Sequence, residues 1–354
     1  MGLFFCKKTC MDIEIHEQPE ILSKILQEYV ANDGKITFEM PNDIDKVVLV
    51  ASGSSYHCAR FGADLFGKVA NVSARAIYSS EYLLKPKAPD EKDILYVFIT
   101  QSGETSDTLR AAKRAKQMGM RIACITNNNK SSICKYADYT VSCFAGIEKS
   151  IAATKSFTAQ LLCVTLMAFK YAQMRDIDVL EQIQSLTTLP RVIKETLKMD
   201  KKVKQLANML KKEKHFIITA DGISYAMAKE AALKIQETSY LYCTAIILGE
   251  FMHGHVAVLN NKMPLVYVSA SGVSYSAAKN LEKIKNDYNP PIYIIGRSHE
   301  RITPNFNITI DNDDATLRMF SNAVIIQMLA LEIAKKLRRN VDKPKGLVKV
   351  VTEN

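Results

Sequence analysis

The sequence predicts an α/β protein of two three-layer αβα domains, each built on a parallel sheet, with a C-terminal tail. Three observations predict it. Short β-branched runs that meet Gly and Ser give way to helical patterns, again and again, as in sheets covered by helices on both faces. The chain has 354 residues, comfortable for two domains. The first half is also written again in the second. "VVLVASGSSYHCA" from Val47 matches "FIITADGISYAMA" from Phe216, and "ILYVFITQSGETSDT" from Ile94 matches "MPLVYVSASGVSYSA" from Met263. Gly53 pairs with Gly222 and Ser102 with Ser271 at one shared offset, which indicates a duplicated domain.

Taken in order, residues 1–23 read as a linker-like segment and 24–172 as the first domain. A lysine-rich helical stretch, about 171–214, joins the halves, and 195–330 is the second domain. An amphipathic helix is expected from about Ala315 to Arg339, and residues 331–354 hold its end and the tail "DKPKGLVKVVTEN".

Composition narrows the function. Hydrophobic residues make up 47% and charged residues 24%, ordinary for a globular protein. No signal sequence is expected, and the run Leu161 to Phe169 is far short of the roughly 20 residues that span a bilayer. A cytoplasmic protein without membrane contact is therefore expected. The eight cysteines are scattered without a CxxC; Cys124 and Cys163 sit in apolar runs and read as small core residues. The net charge of +10 is spread over helical lysines. It fits solvated helix faces or the steering of an anionic substrate. No basic stripe with interleaved aromatics is present, so nucleic acid is not an expected partner.

Ligands of open parallel sheets bind at the carboxyl ends of strands. This sequence puts its hydroxyls there: "SGSS", Ser52 to Ser55, and "TQSGETSDT", Thr100 to Thr108. Ser and Thr in such loops either cap the following helix or, with its free N–H groups, cradle a phosphate. Two such loops in one half favour phosphate. "SGVSYSA" in the second half predicts a weaker cradle or none. Neither a P-loop nor a GxGxxG fingerprint follows the first strand.

Together "ASGSSYHCA", "TQSGETSDTL", "AATKSFTAQ", "EAALKIQETSY", "GEFMHGH" and "KPKGLVKVVT" resemble the isomerase half of glucosamine-6-phosphate synthase (glutamine–fructose-6-phosphate aminotransferase), a pair of sugar isomerase (SIS) domains. The resemblance runs from about residue 11 to the C-terminus. Gly2 stands where that family has its glutaminase cysteine, so no glutaminase domain is expected. The resemblance implies a hexose 6-phosphate site at Ser52, Gly53, Ser54, Ser55, Thr100, Gln101, Ser102 and Thr105, with Ile151 and Val348 lining the sugar. It implies catalytic roles for Glu237 as the proton-carrying carboxylate, Lys234 one turn before it, His253 in ring opening and Lys349 in the tail.

Read without the resemblance, Lys234 and Glu237 are first an ordinary exposed i, i+3 helix pair, and Lys349 is first a solvated tail lysine. His253 and His255 lack a third ligand at suitable spacing, so neither a metal nor a cofactor is expected. The family pattern departs at His255, usually proline, and at Gln236, usually lysine. The implied activity interconverts fructose 6-phosphate and glucosamine 6-phosphate using free ammonia or ammonia from a separate glutaminase subunit, with net deamination at low ammonia. The alternatives are a fructosamine-6-phosphate deglycase and a non-catalytic sugar-phosphate sensor. The resemblance also implies a homodimer.

Overall fold

The buried runs become the central strands of two parallel sheets. The structure, a computed structural model, describes residues 8–84 and 93–352. Cys6 and the run around it lie outside the described residues. Two helices come first, α1 (Cys10–His16) and α2 (Gln18–Tyr29). The first sheet alternates β1 (Lys46–Ala51), α3 (Gly53–Ala70), β2 (Ser73–Tyr78), α4 (Ser79–Leu84), β3 (Ile94–Thr100), α5 (Ser106–Gln117), β4 (Arg121–Thr126) and β5 (Tyr139–Ser142), then α6 (Lys155–Met174). The lysine-rich connection forms α7 (Leu180–Thr187), α8 (Leu189–Leu197) and α9 (Asp200–Leu210). The second sheet follows as β6 (His215–Ala220), α10 (Tyr225–Ser239), β7 (Tyr242–Ile247), α11 (Leu248–Phe251), β8 (Leu265–Val268), α12 (Tyr275–Tyr288), β9 (Ile292–Ile295) and β10 (Phe306–Ile308), closed by α13 (Ala315–Lys336).

The strand orders are β2-β1-β3-β4-β5 and β10-β9-β8-β6-β7, all pairs parallel. Counted within each domain, they are the same order, as a duplication requires. Every residue of β3 is buried, and so are the last five of β1 and of β6, because helices cover both faces. The edge strand β2 keeps only Ile77 buried.

Two expectations differ. The helix expected to be amphipathic, α13, is buried on all sides from Leu317 to Ala334. It is long and apolar enough to cross a membrane, but it lies inside the protein. Its polar residues find internal partners: Gln327 bonds Gln18 and Thr158, and Ser321 accepts from Thr196 at 2.9 Å. From Cys10 on, the linker-like segment is helical and docked. Met11, Ile15, Leu22 and Ile25 recur at helical spacing and enter the core. The Asp342 carboxylate accepts the backbone N–H of Cys10 at 2.8 Å and of Met11 at 3.0 Å.

The second domain keeps the turns of the first. Gly53 and Gly222 have φ of 56° and 51°, Gly103 and Gly272 of 71° and 84°. Its loop polar groups are used internally. Ser269 Oγ donates to the Gly272 carbonyl at 2.7 Å, Ser224 Oγ accepts from Ala270 N at 3.0 Å, and the Arg318 guanidinium donates to the Ala270 and Asn312 carbonyls.

Candidate active site

β1 and β3 are neighbours, with Ala51 opposite Ile99, so Ser52 and Thr100 leave the sheet side by side. The strand order reverses here, and such a point opens a crevice. The N-termini of α3 and α5 both start at this crevice. Gly103 allows the second loop to turn: its φ is 71°, and a Cβ there would lie 1.9 Å from Ser131 Oγ.

The two readings of the hydroxyl loops are now separable. Ser52 and Thr105 are the N-cap residues of α3 and α5, yet neither side chain caps its helix. Ser52 Oγ lies 3.4 Å from Thr108 Oγ1, and Thr105 Oγ1 lies 3.3 Å from Thr100 Oγ1. Ser55 Oγ donates to Gln160 Oε1 at 2.9 Å, and Ser102 Oγ accepts from Glu104 N at 3.1 Å.

These hydroxyls line a cavity of about 290 Å³, at the small end of the range for ligand sites. Ser52, Gly53, Ser54, Ser55, Thr100, Gln101, Ser102, Thr105, Ile151, Lys234, Glu237, Val348 and Lys349 all border it. Distant stretches of chain thus meet: the two hydroxyl loops, the loop with Ile151, α10 and the tail. His253 does not border this cavity; it is exposed in the turn after α11. The tail is fastened over α5, with Ser106 N donating to the Val351 carbonyl at 2.9 Å.

Lys234 is not the exposed helix lysine that spacing alone allowed. It is 1% exposed, donates to Glu237 Oε2 and lies 3.7 Å from Glu230 Oε1. Burial works against its charge, but Glu237 and Glu230 outweigh burial and hold its pKa above the ordinary lysine value. Gln236, the departure beside it, donates to the Cys243 carbonyl.

The cavity also has a residue that the sequence reading missed. Glu148 is fully buried, and its carboxylate accepts from Thr154 N at 2.9 Å, Ser156 N at 3.0 Å, Ser156 Oγ at 2.6 Å and Lys349 Nζ at 2.5 Å. Lys349 Nζ donates to the Ser150 carbonyl as well, at 2.8 Å. Burial pushes the Glu148 carboxyl up, but Lys349 and the Ser156 donors outweigh it and hold it below the ordinary range. A signal existed: Glu148 lies in the loop after β5, at the carboxyl end of the same sheet as the hydroxyl loops.

Chemically, the cavity joins two hydroxyl loops and two helix N-termini to two lysine–carboxylate pairs. The pattern of the SIS domain matches residues 42–170 and 209–335. The chain belongs to the SIS domain family. Its two SIS domains are homologous to part of the glutamine–fructose-6-phosphate aminotransferases. The enzyme of that name from Campylobacter jejuni is 32% identical over 97% of this chain and 58% of its own length. The one from Methanocaldococcus jannaschii is 34% identical over 96% of this chain and 30% of its own. The chain therefore spans little more than half the length of the first, and less of the second. Among solved structures, the C-terminal domain of glucosamine-fructose-6-phosphate aminotransferase from Francisella tularensis superposes with a TM-score of 0.88 at 24% identity, covering 96% of this chain and 99% of that one. Glucosamine-6-phosphate deaminase from Thermotoga maritima gives 0.78 at 24% identity, covering 98% and 100%. These two structures share the double SIS fold.

Proposed function

We propose that this chain is a sugar-phosphate isomerase of amino-sugar metabolism. In this reading it interconverts fructose 6-phosphate and glucosamine 6-phosphate with free ammonia or ammonia from a glutaminase partner, running toward deamination when ammonia is low. The observation that carries the reading is one cavity that holds both hydroxyl loops and the buried Lys234 paired with the half-buried Glu237. The loops and the N-termini of α3 and α5 take the phosphate. Ammonia condenses with the C2 carbonyl and releases water, and Glu237 then carries the proton between C1 and C2 of the resulting imine through an enolamine. Lys234 meets the charge that develops on the neighbouring oxygen, and Lys349 serves the ketose carbonyl from the tail. A sensor needs the cradle but gains nothing from a lysine buried against two carboxylates.

His253 belongs to the proposal through a homodimer, in which its loop reaches the neighbour's cavity to open the sugar ring. The cytoplasmic setting expected from the sequence belongs to the same proposal.

The test is direct. Purified protein is incubated with glucosamine 6-phosphate and, separately, with fructose 6-phosphate plus ammonium, and both sugars and ammonia are followed. Glu237→Gln should still bind hexose 6-phosphate while turnover and solvent exchange of the C1 or C2 hydrogen both fall by at least ~100-fold. A wild type that exchanges no hexose 6-phosphate hydrogen overturns the isomerase reading.

A further inference from the structure

All six histidines lie within the described residues, and only His57 is buried, at 5% exposure. It stands on α3 of the first domain, one turn behind the cradle, and does not border the cavity. Its Nδ1 is 2.7 Å from Glu230 Oε2 on α10 of the second domain. A carboxylate only accepts, so Nδ1 donates. Glu230 is completely buried. Among the described residues its other oxygen, Oε1, has no hydrogen-bond partner, yet it lies 3.7 Å from Lys234 Nζ.

Lys234 therefore sits between two carboxylates on its own helix, Glu230 four residues before it and Glu237 three residues after. It bonds Glu237 and only approaches Glu230. A buried carboxylate with an idle oxygen would gain by turning onto the ammonium. The bond from His57 holds it back.

Resting on the isomerase reading above, we propose that His57 is a positioning residue for that reaction. By anchoring Glu230 it leaves the Lys234 ammonium to Glu237, the carboxylate that handles the C1/C2 proton. The anchor comes from one domain and the pair it serves from the other, so the contact also transmits domain placement to the reacting group. A plain domain-docking bond would serve stability alone, and the following variants separate the two roles.

The Asn side-chain amide nitrogen takes the place of imidazole Nδ1, whereas that of Gln takes the place of Nε2. Expected kcat values are within ~3-fold of wild type for His57→Asn and at least ~10-fold lower for His57→Gln and His57→Leu, the scale of a displaced reacting group. Solvent exchange of the C1 or C2 hydrogen should fall in parallel. KM for hexose 6-phosphate should stay within ~2-fold, since the cradle is untouched. The double variant His57→Leu/Glu230→Gln removes the competing charge and should regain most of the lost kcat. It also has no unpaired buried carboxylate, so it serves where His57→Leu alone does not fold.

Equal kcat for all three single variants overturns the proposal. So does an equal loss in Asn and Gln, or a double variant no better than His57→Leu. Wild-type protein and Glu237→Gln are assayed alongside. An inactive wild type overturns the isomerase reading and this proposal with it, whereas an active wild type with an unaffected His57→Gln overturns this proposal alone.

Discussion

Replacing Lys349 by Met keeps an unbranched side chain and removes the charge that faces Glu148. The Glu148 side chain is fully buried, whereas that of Lys349 is 24% exposed. Stripping a buried carboxylate of its cation costs about 3–5 kcal/mol. Thr154 N, Ser156 N and Ser156 Oγ still donate to it, which places the loss at the low end, about 3 kcal/mol. In the wild type the folded pKa of Glu148 lies below its ordinary value. Its contribution is therefore present above the carboxylate range and is lost as pH falls through the folded pKa. In the variant burial prevails and the folded pKa rises above the unfolded one. The penalty is then greatest at neutral pH and is relieved as the carboxyl takes up a proton. Thermal unfolding followed by far-UV circular dichroism should show a midpoint lower by roughly 4 °C at neutral pH, from an unfolding entropy of about 2.1 cal/mol/K per residue over the 354-residue chain. The gap should narrow as the pH approaches the carboxylate range. Equal midpoints at neutral pH, or a gap unchanged in acid, would refute the reasoning.

Ser102→Ala should weaken hexose 6-phosphate binding by about 1–2 kcal/mol in calorimetry, the scale of a charge-assisted hydrogen bond; unchanged affinity counts against the cradle. Gly103→Ala should cost more affinity than Ser102→Ala and lower the unfolding midpoint as well, because its Cβ meets Ser131 and its φ is 71°. Wild-type values in both measurements would show that the loop has room. If His253 acts across a homodimer, mixing inactive His253→Ala and Glu237→Gln subunits should restore part of the activity, and full activity in a proven monomer would remove that role.

The parts of the site that lie on strand ends were legible in the sequence. A β-branched run followed by Ser, Gly and Thr shows where a strand stops and a loop at the sheet's crevice begins, so Ser52 and Ser102 could be chosen as cavity residues without coordinates. The state of Lys234 could not. Spacing puts it on one face with Glu237 but does not say which face of α10 is covered, and that depends on packing against α3 and α13, far away in sequence. The same limit misled the reading of α13 as amphipathic, since Ser321 and Gln327 bond to other buried groups. Glu148 sat in a legible place, but a lone Glu in a loop gives no sign that a tail lysine some two hundred residues later will meet it.

The paired turns of the two domains bear on descent. Gly222 and Gly272 hold the same left-handed backbone as Gly53 and Gly103, although the Arg318 guanidinium binds the Ala270 carbonyl two residues before Gly272. The two copies thus share a backbone conformation while the side chains around it differ. The second lobe carries α10 into the cavity of the first, so neither lobe alone holds all of its lining residues. A change at the seam between the lobes therefore reshapes that cavity as directly as a change within either one.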